Sequence, residues 1–96
     1  MARKIIWSIR AQEEKEAIFA FWDEHNKSKT YSRKLNKLFN EAISLLQEHP
    51  YIGRETNIEN VHVRIVRQYL IVYRIQGNNI VIVRIWDGRR NPADML

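Results

Sequence analysis

The sequence predicts an α+β fold in which an N-terminal strand and an antiparallel helix hairpin pack on one face of an antiparallel β-sheet. Two segments with helical periodicity come first, and three strand-like segments follow them in quick succession. Gly77-Asn78 suits a two-residue hairpin turn between the last two strands. Ninety-six residues, 45% of them hydrophobic, suffice for one core and are too few for two. We therefore expect a single domain that spans residues 1–96.

The helices are predicted from apolar side chains that recur at steps of three and four. After a strand-like run from Lys4 to Ile9, the first helix should extend from about Arg10 to His25. Its apolar face is predicted to carry Ala17, Ile18, Phe21 and Trp22, and Glu13, Glu14 and Glu16 are predicted on its solvated face. The second helix should begin at Thr30 or Ser32, either of which can act as its N-cap, and should stop before Pro50.

The three later strands are predicted at Val61 to Val66, Tyr69 to Ile75 and Ile80 to Trp86. Tight turns at Gly77-Asn78 and Arg67-Gln68 would fix their register. The cross-strand pairs expected from these turns are Ile75–Ile80, Tyr73–Ile82, Ile71–Arg84 and Tyr69–Trp86, then Val66–Tyr69, Arg64–Ile71 and His62–Tyr73.

Because alternate residues of a strand point in opposite directions, this register sorts the side chains into two faces. The aliphatic face, the expected seat of the helices, holds Val61, Val63, Ile65, Leu70, Val72, Val81, Val83 and Ile85, with Arg74 at its edge. The other face interleaves aromatic residues and arginine: His62, Arg64, Val66, Tyr69, Ile71, Tyr73, Ile80, Ile82, Arg84 and Trp86. Left bare, this second face would be unusually apolar, so we expect a partner, the chain's own tail or a homodimer to cover it. A one-residue bulge would exchange the two faces.

Composition limits the function classes. The chain has no cysteine, which excludes disulfides, thiol catalysis and thiolate metal sites, and its histidines, His25, His49 and His62, are too scattered for a zinc site. We expect no metal and no cofactor. No segment approaches the roughly 18 apolar residues of a membrane span, and no signal peptide precedes the fold. We therefore expect a cytoplasmic protein with no membrane partner.

The net charge of +5 is unevenly distributed. Residues 61–96 carry six arginines and no lysine against two aspartates, whereas residues 1–60 are nearly balanced, with ten basic and nine acidic residues. Arginine suits bidentate recognition of carboxylates and phosphates, although a solvated basic surface would show the same composition. A second basic patch could bind a ribosome or DNA or form a solvated helix face; it comprises Lys27, Lys29, Arg33, Lys34 and Lys37.

The C-terminal strands carry a recognisable motif, YLIVYRI at residues 69–75 and, after a short turn, IVIVRIWDGRRNP at residues 80–92. This run resembles the C-terminal signature of the ParE/RelE toxin superfamily of type II toxin–antitoxin systems, with the ParE-like branch the better fit. A Pro-x-x-Gly element at Pro50 to Gly53 also matches. The resemblance implies a toxin that is neutralised by a cognate antitoxin whose disordered segment folds across it. A free homodimer and a toxin–antitoxin heterotetramer are both compatible with the family.

The ParE-like resemblance implies inhibition of DNA gyrase without an active site of the toxin's own. The arginines that match the family, and are predicted to contact the target, are Arg84, Arg89 and Arg90. The expected antitoxin contacts lie on the aromatic face, at Arg64, Tyr69, Ile71, Tyr73 and Trp86. One departure is Trp86-Asp87, where ParE sequences often have an aliphatic residue and histidine.

The alternative is a RelE-like ribosome-dependent mRNA endoribonuclease, which needs positioned proton carriers to activate the ribose 2′-OH. If RNA were cleaved, the catalytic residues would be His62, Arg64, Tyr73 and Arg84. Two features favour the gyrase inhibitor. RelE-type members usually have arginine where this chain has Leu70, and they tend to keep a tyrosine or histidine near the C-terminus, which the residues after Trp86 lack.

Overall fold

A computed structural model describes residues 3–95 as two helices packed on a five-stranded sheet. The elements in chain order are β1 (Lys4–Trp7), α1 (Ile9–Asn26), α2 (Thr30–Glu48), β2 (Arg54–Glu55), β3 (Val61–Val66), β4 (Tyr69–Gln76), β5 (Asn79–Asp87) and a short 3₁₀ helix (Pro92–Asp94). The sheet order is β1-β5-β4-β3-β2. The predicted α+β fold is confirmed, but the sheet is mixed, because β1 pairs with β5 in parallel.

Both helices lie within about two residues of their predicted bounds, and a side-chain cap explains where α1 begins. Ser8 caps α1 by accepting a hydrogen bond from the Ala11 N–H, and its hydroxyl also donates to the Val83 carbonyl of β5. The cap predicted for α2 was wrong. Lys29 occupies the N-cap position without a side-chain hydrogen bond, because Thr30 is already the first helical residue. No helix within residues 3–95 is both long and apolar enough to cross a membrane.

The hairpin register is confirmed on one side of the sheet and corrected on the other. All three pairs predicted between β3 and β4 are present, and Gly77, with a φ of 59°, forms the turn that pairs Ile75 with Ile80. Beyond Tyr73–Ile82 the register shifts, so that Val72 pairs with Arg84 and Val83 has no partner. This bulge gives Ile71–Ile85 and Tyr69–Asp87 in place of the predicted Ile71–Arg84 and Tyr69–Trp86.

The predicted assignment of the sheet faces was wrong. The face with the aromatic residues lies under the helices, and we name it the inner face. Its buried strand residues are Val66, Tyr69, Ile71, Tyr73, Ile75, Ile80, Ile82 and Ile85. They pack against Leu35, Phe39, Ile43 and Leu46 of α2. Both faces are apolar in this sequence, so alternation defines two faces without deciding which one the helices cover.

The helix α1 also presents a different apolar face from the predicted one. Phe19 stacks on Phe39 of α2 at a ring-centroid distance of 6.1 Å, whereas Phe21, predicted to be in the core, is 52% exposed. Trp22 remains on the core side and its indole N–H donates to the Tyr69 hydroxyl at 2.7 Å. An aromatic side chain is therefore left on the surface of α1.

The opposite side of the sheet, the outer face, has a small core of its own. Val61, Val63 and Val72 are buried there and pack with Leu70, Val83 and Met95. Met95 belongs to the C-terminal tail, residues 88–95, which therefore folds back onto the outer face. The bulge at Val83 also moves Arg84 and Trp86 to this face, since they pair with Val72 and Leu70.

Candidate functional site

Arg84 lies where α1, β5 and the C-terminal tail meet. Its Nε and Nη2 atoms donate to the Glu14 Oε2 at 3.2 and 2.7 Å, and its Nη1 donates to the carbonyls of Asp94 and Met95 at 3.2 and 3.3 Å. The other carboxylate oxygen of Glu14 accepts the Ile85 N–H at 3.0 Å. The two charged side chains are only 9% and 18% exposed. Arg84 was predicted to contact the target, but in this conformation its donors are used inside the chain.

Trp86 is held between two guanidinium groups. The Arg84 Cζ lies 4.6 Å from the centre of the indole ring, and the Arg90 Cζ lies 4.3 Å from it. Trp86 is 1% exposed, so this contact contributes apolar burial as well as cation–π attraction. The stack places the guanidinium group of Arg90, an otherwise exposed residue, against the Trp86 ring.

Arg89 projects from the end of β5 and is paired locally. Its Nε and Nη2 donate to the two carboxylate oxygens of Asp87 at 3.1 and 2.7 Å, and its backbone N–H donates to Asp87 at 2.9 Å. The hydrogen bond from Arg89 lowers the pKa of Asp87, and the pairing raises the pKa of Arg89. The Arg89 side chain is still 66% exposed, so it remains accessible to a partner.

A cleft of about 320 Å³ lies between α1 and this end of β5. Its apolar lining comes from Ala17, Ile18, Phe21 and Ile85. Arg89, Arg90 and Asp87 are the polar residues at its β5 end, and Tyr69 and Glu14 complete the wall. Because an apolar floor stands beside two accessible arginines, the cleft is suited to an apolar side chain flanked by acidic groups.

Three of the four residues predicted for RNA cleavage share the inner face, and the fourth does not. His62 stacks on Tyr73 at a centroid distance of 5.7 Å, and Arg64 lies on the same face of β3, whereas Arg84 is on the outer face. The Tyr73 hydroxyl donates to the Pro50 carbonyl at 2.7 Å and accepts the Gly53 N–H at 3.0 Å. Burial raises the pKa of Tyr73.

These contacts give the Pro-x-x-Gly element a structural role. A Cβ on Gly53 would lie 2.4 Å from the Tyr73 hydroxyl oxygen and 2.9 Å from the Val63 carbonyl, so only glycine fits there without displacement. The hydroxyl of Tyr73 thus fastens this loop to the sheet. In the present arrangement neither Tyr73 nor His62, which is 5% exposed, presents a proton carrier at the surface.

Most of the residues predicted to bind the antitoxin are inside the protein. Tyr69, Ile71 and Tyr73 are at most 2% exposed under the helices, and Trp86 is 1% exposed under the two arginines. Arg64 is half-buried. The premise of a bare aromatic face was therefore wrong, because the chain's own helices cover it. A contact between these residues and an antitoxin stays a prediction.

Two residues of the site were missed from the sequence. Glu14 was interpreted as part of a solvated acidic face, and Phe21 was assigned to the core. A signal for Glu14 was present, since it follows Ala11 by three residues and precedes Ile18 by four and so falls on the buried side of α1. Its partner Arg84 is 70 residues away in sequence, which no local pattern reveals.

Comparison with solved structures shows that this fold also occurs in known toxin–antitoxin systems. The chain superposes on a chain of the chromosomal ParDE toxin–antitoxin system from Pseudomonas aeruginosa with a TM-score of 0.74 at 19% identity, covering 88% of this chain and 94% of that one. It also superposes on a chain of the RelBE2 toxin–antitoxin complex from Mycobacterium tuberculosis with a TM-score of 0.63 at 18% identity, covering 88% and 96%. At such identities the likeness establishes the shared fold.

Sequence comparison identifies the family. Residues 5–92 match the profile described as the ParE toxin of the type II toxin–antitoxin system parDE. The chain is also 33% identical over 75 residues to toxin ParE3 of Caulobacter vibrioides. The aligned region covers 76% of this chain and 74% of that protein. The chain therefore belongs to the ParE toxin family of type II toxin–antitoxin systems.

Proposed function

We propose that this ParE-family toxin inhibits DNA gyrase and is neutralised by a cognate antitoxin. The observation that carries the proposal is the end of β5, where Arg89 and Arg90 are exposed beside the cleft and are backed by Asp87 and Trp86. A side chain that is already oriented loses less conformational entropy when it contacts a target. Arg84 supports the two arginines from inside the chain rather than contacting the target itself.

The cleft supports the antitoxin part of the proposal. Phe21 lies on the apolar side of the cleft and is 52% exposed. Apolar surface is costly to leave in water, so a partner that covers Phe21 gains binding free energy. An acidic, amphipathic segment would cover Phe21 with an apolar residue and pair its carboxylates with Arg89 and Arg90. The solved ParDE and RelBE2 systems are both described as toxin–antitoxin assemblies, which favours the same arrangement here.

The ribonuclease alternative has less support. A general acid or base must reach the ribose, yet His62 and Tyr73 are buried and the Tyr73 hydroxyl is engaged with the Pro50–Gly53 loop. Arg84, the fourth residue of that set, faces the opposite side of the sheet. Cleavage by these residues would require the helices and the loop to move together.

The decisive experiment is a gyrase supercoiling and DNA-cleavage assay with the purified chain. Inhibition with accumulated cleaved DNA is expected for the wild type. An Arg89→Ala/Arg90→Ala variant should lose at least about tenfold in potency, as removal of two charged hot-spot contacts predicts. An Arg10→Ala/Arg54→Ala variant is the matched control, because it removes the same charge from two other exposed positions. No inhibition by the wild type at micromolar concentration, or equal loss in both variants, would refute the proposal.

The antitoxin is tested separately with the product of the neighbouring short open reading frame. It should bind the toxin and relieve gyrase inhibition, and Phe21→Ser should weaken binding without reducing inhibition of gyrase. Ile52→Ser is the control, since Ile52 is 44% exposed outside the cleft. If Phe21→Ser and Ile52→Ser bind the antitoxin as tightly as the wild type, the antitoxin does not use the cleft.

A further inference from the structure

Besides the arginines of residues 61–96, positive charge is dense in one short segment of the chain. Of 16 Lys and Arg residues, five lie within residues 27–37, and that segment contains no Asp or Glu. The rest of the chain has eleven basic and eleven acidic residues and is therefore neutral in sum. The whole formal charge of +5 thus corresponds to this segment, which covers the α1–α2 turn and the first half of α2.

Ion pairs in the fold increase the contrast in charge between residues 27–37 and the rest of the chain. Two of the C-terminal arginines form ion pairs within the chain, Arg84 with Glu14 and Arg89 with Asp87. In the segment 27–37 only Lys27 forms an ion pair within the described part of the chain, with Glu24, and that pair is fully exposed to screening. The basic residues at the turn and the start of α2 are therefore less compensated by carboxylates than Arg84 and Arg89 are.

Helical geometry aligns these charges. Lys29, Arg33 and Lys37 recur every four residues and form a row about 12 Å long on one side of α2, and Lys34 lies beside it. All four side chains belong to exposed residues. The N-terminal end of the helix dipole adds positive potential at Lys29. Asn36 and Asn40 are exposed next to the row and supply uncharged hydrogen-bond donors.

We propose that this row, formed by Lys27, Lys29, Arg33, Lys34 and Lys37, binds the phosphate backbone of duplex DNA. Each strand of a duplex presents a phosphate about every 3.4 Å along its axis, so the row faces about three or four of them. Amides beside lysines suit phosphate and sugar contacts, which position a protein without reading sequence. The choice of DNA rests on the proposed function, because gyrase holds DNA at the place where the toxin would act.

The surroundings of the row favour a nucleic acid over an acidic protein segment or an anionic membrane. Both of those ligands would gain from an apolar anchor next to the charges. No large hydrophobic side chain within residues 27–40 is exposed, since Tyr31 and Leu38 are half-buried against the core. Leu45, which lines a groove with Arg33 and Lys37, is only 37% exposed. Contacts to a phosphate backbone need no such anchor, because counterion release supplies the affinity.

The test is fluorescence anisotropy of a labelled 20-base-pair duplex titrated with the full chain, without gyrase, at several salt concentrations. The wild type should bind with a slope of log Kobs against log salt of about −3, that is, about −0.9 for each of three or four contacts. A Lys29→Gln/Arg33→Gln/Lys37→Gln variant should lose most of the binding at low salt and about 2.7 of the slope. An Arg10→Gln/Arg54→Gln/Arg74→Gln variant carries the same net charge and should retain most of both.

Several outcomes would overturn the proposal. Equal losses in the two triple variants would mean that net charge alone drives binding. Competition by poly-glutamate as effective as that by duplex DNA, or tighter binding to an RNA duplex of the same length, would reject DNA as the ligand. Because gyrase is absent, a failure here leaves gyrase inhibition standing. If the row binds DNA and gyrase is the target, the Lys29→Gln/Arg33→Gln/Lys37→Gln variant should also inhibit gyrase less than the wild type, although Arg89 and Arg90 are intact.

Discussion

The two faces of the sheet are buried in different ways. On the inner face, two helices close over a cluster of thirteen buried residues that runs from Ala11 to Ile85. On the outer face, three buried valines are covered by a tail that has no strand and only one turn of 3₁₀ helix. The helices are held on the inner face by many apolar contacts. The tail is held on the outer face by hydrogen bonds from the side chain of Arg84.

The inner face therefore mainly stabilises the fold, and the outer face mainly positions the residues of the proposed target contact. Burial of large side chains on the inner face supplies most of the free energy of folding. The outer face contributes less apolar burial but positions the residues of the proposed target contact, since Arg84 holds the tail and Arg84 and Arg90 enclose Trp86. Substitutions on the inner face should therefore unfold the protein, and those on the outer face should loosen the tail.

The largest effect is expected at the centre of the inner face. Phe39 is fully buried between Phe19 and Tyr69, so Phe39→Ala should lower the free energy of unfolding by about 3–5 kcal/mol. Ile65→Ala, on the outer face at 51% exposure, should cost less than about 1 kcal/mol. Urea unfolding followed by tryptophan fluorescence measures both. Similar losses at the two positions would remove the distinction between the faces.

Arg84→Gln is the corresponding test of the outer face. It breaks a half-buried ion pair with Glu14 and two hydrogen bonds to the tail, and about 2–3 kcal/mol of stability should be lost. Hydrogen exchange should show faster exchange in residues 88–95 with little change in the helices. Arg74→Gln, at an exposed position of β4, is the control. Unchanged protection of the tail in Arg84→Gln would show that the tail is held by other contacts.

A smaller effect is expected for Tyr73→Phe, which keeps the ring in the inner core. The substitution leaves the Pro50 carbonyl and the Gly53 N–H without their partner and should cost about 1–2 kcal/mol. Tyr51→Phe should be close to neutral, since Tyr51 is 66% exposed. Thermal unfolding compares the two variants. The Pro50–Gly53 loop joins α2 to the sheet. An unchanged stability of Tyr73→Phe would therefore mean that the contacts of the helices alone hold this loop in place.

The smallest effect is a pH dependence at Asp87. Hydrogen bonding from Arg89 lowers the pKa of Asp87 in the folded state, so the pairing stabilises the protein above the ordinary aspartate pKa of about 4. That contribution is lost as the pH falls from about 4 through the lowered pKa of the folded state. Thermal unfolding between pH 2 and 6 should show a shallower acid dependence for Asp87→Asn. The same slope in wild type and variant would mean that the exposed pair adds nothing measurable.

Much of the fold follows from local patterns in the sequence. The bounds of both helices, the β3–β4 register and the turn at Gly77 were predicted because each depends on residues within a few positions of one another. The candidate site was predicted less well. Arg89 and Arg90 are exposed at the end of β5, and their contact with a target stays a prediction. Arg84 forms its hydrogen bonds within the chain, and Glu14 and Phe21 were assigned to the wrong surroundings.

By itself, the sequence determined the two helices, the strands other than β2 and their order, because periodicity and turn residues act over short range. The ParE/RelE-like fold was implied by the C-terminal motif. Only the tertiary structure decided which apolar face of the sheet meets the helices, since both faces are apolar and no local pattern distinguishes them. It also decided the bulge at Val83, which no alternation pattern encodes. That single unpaired residue places Arg84 and Trp86 on the outer face, where Arg84 pairs with Glu14, 70 residues away, and donates to the carbonyls of Asp94 and Met95 in the tail.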